Sequence, residues 1–534
     1  MLTLKTDILI VGGGLGGVAA ALAALRHGRT VVLTEETDWL GGQLTSQGVP
    51  PDEHAWIERF GCTESYRRLR EDIRAHYRAW YPLTPEAREQ SDLNPGEGRV
   101  SRLCHEPRVA AAVLDATLAP YAAAGRLRIL YGYRPTAAAT SGDRVTSVRL
   151  AGTDDREAEI EAAYVLDATE LGDLLPLTGT EHVTGFESRA MTGEPSAPEH
   201  PQPANMQAFS WVFAVDHREG EDHTIERPAG YDRWRAYQPA FWPAPLLSLI
   251  APDPRTLETL ERAFVPHAES GPVVADQSKD PGDRDLWAFR RILSRRQFRP
   301  GFMDSDVVVV NWPMIDYLPG PLIGVPDAER DRHLAGAREL SLSMLYWLQT
   351  EAPRPDGGTG WPGLRPRGDV LGTEDGLAKA PYIRESRRIR AVYTVAEQDL
   401  SYAVRGERGA VAYHDSVGVG MYRIDLHPST GGDTYIDVAS CPFQIPLGAL
   451  LPVRTRNLLP AAKNLGTTHI TNGCYRLHPV EWNVGEAAGA LAAYCLEHGV
   501  EPRQVREDAG ALAAYQDLLT GDGVELAWPR IAAY

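Results

Sequence analysis

The chain has 534 residues, 43% hydrophobic and 24% charged, which excludes disordered and collagen-like classes and suggests roughly two to four domains or one large composite. A formal charge of −18 repels phosphate backbones and anionic lipid, so the expected partner is a small molecule, with no nucleic acid and no membrane. Five cysteines without CxxC spacing suggest neither a zinc site nor a disulfide framework; no metal is expected, and the absence of a span or signal pattern leads to an expected cytoplasmic location.

The first segment, DILIVGGG, reads as a short buried strand ending in glycine. In LGGVAAALAALRHG, Leu15, Val18, Leu22 and Leu25 recur at helical spacing and Gly28 is a C-cap; TVVLTEE is a second strand. Within such a βαβ unit the GxGxxG pattern binds a dinucleotide. Gly12 permits the tight turn, Gly14 the close approach of a pyrophosphate, and Gly17 the packing of helix on strand, with the helix N-terminus facing the phosphates. Glu35, with Glu36 beside it, ends the second strand where a ribose diol is held. In TDWLGGQLTSQG, Gly41 and Gly42 let backbone lie along a bulky group, which favours FAD over NAD; Gln43 and His54 are candidates to approach it.

Residues 51–100 read as a polar helical insertion, and EPRVAAAVLDATLAPYAAAG as a helix with Pro107 in its first turn. RLRILYGY is a strand, and RVTSVRL and EAEIEAAYVLDATE form an antiparallel pair about the turn GTDD. From about residue 185 the sequence becomes rich in Pro and Trp, with strand candidates in NMQAFSWVFAV and DSDVVVVNWP; this stretch is assigned to a substrate domain. PRPDGGTGWPGLRPRGD, residues 353–369, is a surface excursion, YIRESRRIRAVYTVAEQDL a helix, ALLPVRTRNLLPAAKNLG a strand into a loop, and VEWNVGEAAGALAAYCLEHG a helix ending at Gly499.

The N-terminal βαβ, DATELGD, and NLGTTHITNGCYRLHPVEWNVGEAAGALAAYC together resemble the glutathione-reductase-type FAD-dependent oxidoreductases. More narrowly, the chain is similar to a large bacterial family related to the heterodisulfide reductase flavin module and to fumarate reductase flavoproteins. The resemblance implies an α/β fold: a discontinuous Rossmann-like FAD-binding domain from residues 1–50, 101–184 and 440–534, with an inserted α+β substrate domain at 185–439. It also implies cofactor contacts at Ala168 and Thr169, where Glu170 replaces the glycine of the DATG motif, and at Gly466. Asn483, Val484 and Gly485, by the same likeness, bring a helix N-terminus to the flavin pyrimidine. The late loop lacks the glycine-aspartate pair of aromatic hydroxylases, which disfavours that chemistry.

Without a second nucleotide-binding βαβ, electrons are expected from the substrate: hydride moves from a C–H next to O or N to flavin N5, and oxygen or another acceptor reoxidises the flavin. Among 15 histidines, His478, His469 and, more remotely, His414 are base candidates, each set against a structural role. Arg476 is a candidate to hold a substrate carboxylate or the flavin O2, against an ion pair with Glu481. Asn311 and Tyr317 are substrate-binding candidates against a structural role, Arg384, Arg387 and Arg388 are candidates to bind an acidic substrate against a solvated helix face, and Cys474 reads as a buried small residue. The alternatives to an oxidase or dehydrogenase are a monooxygenase using external NAD(P)H and a non-catalytic FAD-fold binding protein.

Overall fold

In the computed structural model, residues 1–153, 155–268 and 284–529 are described. β1 (Leu2–Val11) is buried from Ile8 to Val11, as a central strand covered on both faces must be. Gly12, at φ +105°, turns the chain into α1 (Leu15–Arg26), which returns to β2 (Val31–Glu35). α2 (Glu64–Trp80) starts at Thr63, whose hydroxyl accepts the Tyr66 N–H at 3.2 Å, and α3 (Pro85–Glu89) follows it. The remainder of residues 51–63 is turn rather than helix, so the expected helical insertion is only partly helical. α4 (Pro107–Ala123), with Pro107 in its first turn, leads to β3 (Leu127–Tyr131) and then β4 (Tyr133–Ser141), β5 (Arg144–Gly152) and β6 (Glu157–Asp167).

These strands and the segment Leu458–Pro460 make one sheet in the order β3-β2-β1-β6-β5-β4. β3, β2, β1 and β6 run parallel, a Rossmann-like arrangement. β6 divides its free edge: the residues before Ala162 pair antiparallel with β5, as expected, while Val165–Asp167 pair parallel with Leu458–Pro460. A segment far along the chain thus enters the sheet beside the second element of the glycine turn.

The helix His478–His498 lies on α1 so closely that glycine is required at the crossing. A Cβ on Gly485 would collide with the Gly16 carbonyl, and one on Gly489 with that of Ala20. Gly499, at φ +65°, ends this helix as the sequence predicts.

A second, antiparallel sheet joins Arg291–Leu293, Val307–Val310, Phe213–His217 and Leu364–Pro366. Val307–Val310 is wholly buried, and the long helix Asp327–Thr350 packs nearby. Within 353–369, residues 355–359 are exposed, but Leu364–Pro366 is a strand of this sheet. The helix expected over 382–400 is not formed. Arg387 N–H donates to the Leu171 carbonyl and Ile389 N–H to that of Asn464, so the backbone is extended there, with helix only at Glu397–Leu400. Among the described residues no helix is long and apolar enough to cross a membrane.

Candidate functional site

The glycine turn is held by close backbone contact. A Cβ on Gly12 would strike the Ala168 carbonyl, and one on Gly17 the carbonyl of Gly12. Thr169 Oγ1 donates to Asp167 Oδ1 (2.7 Å), fixing the strand end that carries Ala168. Gly13 N–H donates to Glu35 Oε2 at 3.0 Å, while Thr37 N–H and Oγ1 both donate to Oε1 at 2.8 Å. The carboxylate is therefore oriented and keeps one acceptor site, on Oε2, for a ribose hydroxyl. Glu36 is exposed just beyond the strand.

Gly41 N–H donates to the Gly13 carbonyl at 2.8 Å, which lays the loop of Gly41, Gly42 and Gln43 over the turn. Both glycines have positive φ. Gln43 Nε2 donates to the Arg476 carbonyl (2.9 Å) and to Glu481 Oε2 (2.6 Å), leaving its Oε1 buried without a partner. The N-cap of α1 is Gly14, with no side-chain cap. Gly16 N–H donates to Glu481 Oε1 at 3.4 Å, and Lys463 Nζ pairs with Glu170 and lies 3.7 Å from Glu481. Burial works against the charge on Lys463, but Glu170 and Glu481 outweigh it and hold its pKa above the usual value. Burial raises that of the Glu481 carboxyl, with Glu170 adding to the rise and Lys463 opposing it.

An adenine dinucleotide would meet a helix N-terminus whose N-cap is a bare glycine, a buried lysine held by Glu170, a Gln43 oxygen with no partner among the described residues and an oriented acid at the end of β2. The other expected cofactor contacts lie differently. Asn483 Oδ1 accepts the Val419 N–H (3.1 Å) and its Nδ2 donates to the Val417 carbonyl (3.2 Å), so its side chain fastens the helix to the strand Ser416–Gly420. Gly485 faces Gly16, and Gly466 packs against Ala391 and Tyr393; Val484 is buried in the core.

Beyond Gln43, a chain of contacts reaches a cavity. Arg476 donates to the Tyr382 hydroxyl (2.7 Å) and to the carbonyl and carboxylate of Asp425 (3.1 and 3.2 Å), and Asp425 lines a cavity of about 570 Å³. Asp52, Arg290, Asn311, Tyr422 and His427 also line it. His427 Nδ1 lies 2.6 Å from Asp316 Oδ2. Burial would raise the Asp316 carboxyl, but Arg384, 3.1 Å away, and His427 overcome it and keep the group below the usual carboxylate range. An ionised Asp316 takes the Nδ1–H of His427, a residue of the cavity wall, which leaves Nε2 as the unprotonated nitrogen of the neutral ring. Burial holds the Asp52 carboxyl above its ordinary value, against Arg290 and Arg476.

The histidines singled out from sequence do not meet in this cavity. His478 accepts the Asp52 N–H on Nδ1 at 3.0 Å, and burial pushes its pKa down to about 3. Nδ1 is thus occupied as an acceptor, and Nε2 is buried without a hydrogen-bond partner among the described residues. His469 Nδ1 contacts Glu385 Oε1 at 2.7 Å and the ring stacks 3.6 Å from Phe186, in a buried cluster with Arg388 and Glu187. The side chain of His414 is 71% exposed, while His54 lines the cavity with both ring nitrogens bonded to backbone.

Arg476 pairs with Asp425 and not with Glu481. Arg384 is committed to Asp316, Ser210 and the Ala208 carbonyl, so it supports the His427 partner. Arg388 is buried between Glu187 and Glu385, the opposite of a solvated face. Tyr317 bonds His333 at 3.0 Å, and only Asn311 of the substrate candidates lines the cavity. Sequence reasoning missed His427, Asp316, Arg290 and Asp52. Only Asp52 carried a signal, its place just after the glycine loop.

Among the described residues no group of His, Cys, Asp or Glu is arranged to hold a metal. A family model described as FAD dependent oxidoreductase matches residues 7–519. A stretch of 77 residues, 14% of the chain, is 40% identical to N,N-dimethylglycine/sarcosine dehydrogenase of Chromohalobacter salexigens. A stretch of 50 residues, 9% of the chain, is 42% identical to glutathione reductase of Schizosaccharomyces pombe. The matched stretches cover 11% of each of these relatives. Among solved structures, L-proline dehydrogenase from P. horikoshii aligns over 35% of this chain and 25% of that one, with 17% identity and a TM-score of 0.18. Anhydrotetracycline hydroxylase from Streptomyces rimosus aligns over 42% and 39%, with 18% identity and a TM-score of 0.25.

Proposed function

The chain belongs to the FAD-dependent oxidoreductase family, with FAD as its cofactor, and from that premise we propose that it oxidises a small organic substrate at a C–H beside oxygen or nitrogen, with His427 as the base. Bound FAD supplies the acceptor for a hydride. Gly12 and Gly17 let the turn and helix pack closely, the bare Gly14 N-cap would face its diphosphate, Glu35 would accept from a ribose hydroxyl, and Gln43 and Lys463 both reach Glu481 beside the same helix end. Residues 185–439 supply most of the cavity wall, in keeping with a substrate-binding role for that stretch.

His427 Nε2 removes the O–H or N–H proton, so that the carbon losing hydride ends as C=O or C=N. Asp316 fixes the tautomer and stabilises the imidazolium, and Arg384 keeps Asp316 ionised. The observation that carries this reading is the 2.6 Å contact between His427 and Asp316 on the cavity wall. Electrons then pass to oxygen or an acceptor.

The test is bleaching of the flavin band under argon with a panel of alcohols, hydroxy acids, amines and N-methylated amino acids, the last suggested by the short likeness to the dimethylglycine/sarcosine enzyme. For the compound that bleaches, His427→Ala and Asp316→Asn are expected to slow reduction about 10²- to 10⁴-fold with flavin content unchanged. Retention of wild-type rates by both variants sinks the assignment. A product heavier by one oxygen, formed only with added NAD(P)H, would instead mark a monooxygenase.

A further inference from the structure

Several acids on the cavity wall already have partners. Glu53 is held by Arg70 (2.9 Å), Asp425 by Arg476 (3.2 Å) and Asp437 by Arg423, while Asp253 accepts the backbone N–H groups of Arg255 (2.9 Å) and Thr256 (3.0 Å). Arg290 is different. Asp52 Oδ1 stands 3.8 Å from its Nη2, beyond hydrogen-bond reach, and Nε and Nη1 are buried with no partner among the described residues. Burial, with Asp425 adding to it, holds the Asp52 carboxyl above its ordinary pKa against Arg290 and Arg476.

Asn311 adds a second orphan. Its Oδ1 accepts from Arg384 Nη2 at 3.4 Å, and its Nδ2 is buried without a partner among the described residues. Val309 N–H donates to the Arg290 carbonyl at 3.1 Å, so Asn311, two residues on, falls on the same side of the ladder as Arg290. Both side chains line the cavity that His427 enters. Buried, unpaired donors of this kind are unfavourable until an acceptor arrives, and a planar guanidinium is matched best by a planar oxyanion.

We propose that the substrate is a small carboxylic acid, its carboxylate seated on the Arg290 guanidinium with Asn311 Nδ2 as a further donor, and its oxidisable C–H facing His427. The last clause rests on the reading of His427 as the base; the carboxylate site stands on Arg290 and Asn311 alone. A hydroxy acid and an N-substituted amino acid both belong to this class. Arg384 and Arg476 are not the anchors, because their own carboxylates already engage them.

Calorimetric titration of the holoprotein with acetate, propionate and benzoate tests the site without turnover, with ethanol, propanol and benzyl alcohol as neutral counterparts. At least one acid is expected to bind saturably and its alcohol not to bind. Arg290→Gln is expected to weaken that binding by about 30-fold or more, Arg290→Lys by about 10-fold and Asn311→Ala by a few-fold, with flavin content unchanged. Added guanidinium is expected to restore part of the binding to Arg290→Gln. A wild-type holoprotein that binds none of the three acids, or binds the alcohols as tightly, overturns the proposal. So does acid binding that survives Arg290→Gln. If acids bind through Arg290 while no hydroxy or amino acid bleaches the flavin, the carboxylate site holds and the assignment of the reaction is what fails.

Discussion

At Gly12 a side chain would meet both the Ala168 carbonyl and a left-handed φ, so Gly12→Ala forces the turn apart. The purified variant is expected to carry less than about a tenth of the wild-type flavin and to melt several degrees lower, read from the visible band and a thermal scan. Glu170 acts in the other direction, setting a carboxylate beside Gly14 and holding Lys463. Glu170→Gln removes a like charge from the phosphate side and frees the ammonium; FAD is expected to bind apoprotein about 5- to 10-fold more tightly, measured by quenching of flavin fluorescence. Asp167 supplies a pH signature. Burial raises its pKa from 3.8 to about 7, against hydrogen bonds from Thr169 and Leu174. Between those values the folded chain holds a proton that the unfolded chain has released, so this group's stabilisation is full below pH 4 and is lost as pH rises through 7. Asp167→Asn should remove a slope of at most about 1.4 kcal/mol per pH unit from the stability profile, measured by denaturant titration across that window. The glycines and Glu35 were legible in the sequence because turn, helix and acid recur within one local unit. His427 was not, because the carboxylate that makes it a base lies 111 positions away.

The crossing of α1 with the helix His478–His498 depends on two missing side chains, at Gly485 and Gly489. Gly489→Leu drives a branched side chain into the backbone of Ala20, and overpacking of this kind costs about 1–3 kcal/mol or more. A lower melting temperature with parallel loss of bound flavin is expected; loss of flavin at unchanged melting temperature would detach the two. The helices at this crossing were both legible, since Ala and Gly spacing and the terminal Gly28 and Gly499 act locally. The segment 382–400 was not. Its charge pattern suits a solvated helix, but Arg384 and Arg388 are buried in ion pairs with partners from other parts of the chain. Long-range pairing overrode local propensity there. Arg290 was hidden for a different reason: its Nε and Nη1 have no hydrogen-bond partner among the described residues, and nothing in its sequence neighbours signals that.

Across the whole molecule, all five cysteines are free and buried. Burial raises Cys62, Cys104 and Cys495 to about 12, so almost no thiolate is present at neutral pH. Ellman's reagent is expected to find no reactive thiol in the native protein and five after denaturation. Rapid labelling of the native form would contradict the burial of these side chains. The large sheet has one further consequence. Leu458–Pro460 completes it beside β6, and the helix His478–His498 covers α1, so the glycine turn and its helix lack these neighbours until segments far along the chain have been made. During that interval the growing chain has an apolar flank uncovered. Flavin uptake is therefore expected to follow the docking of both late segments.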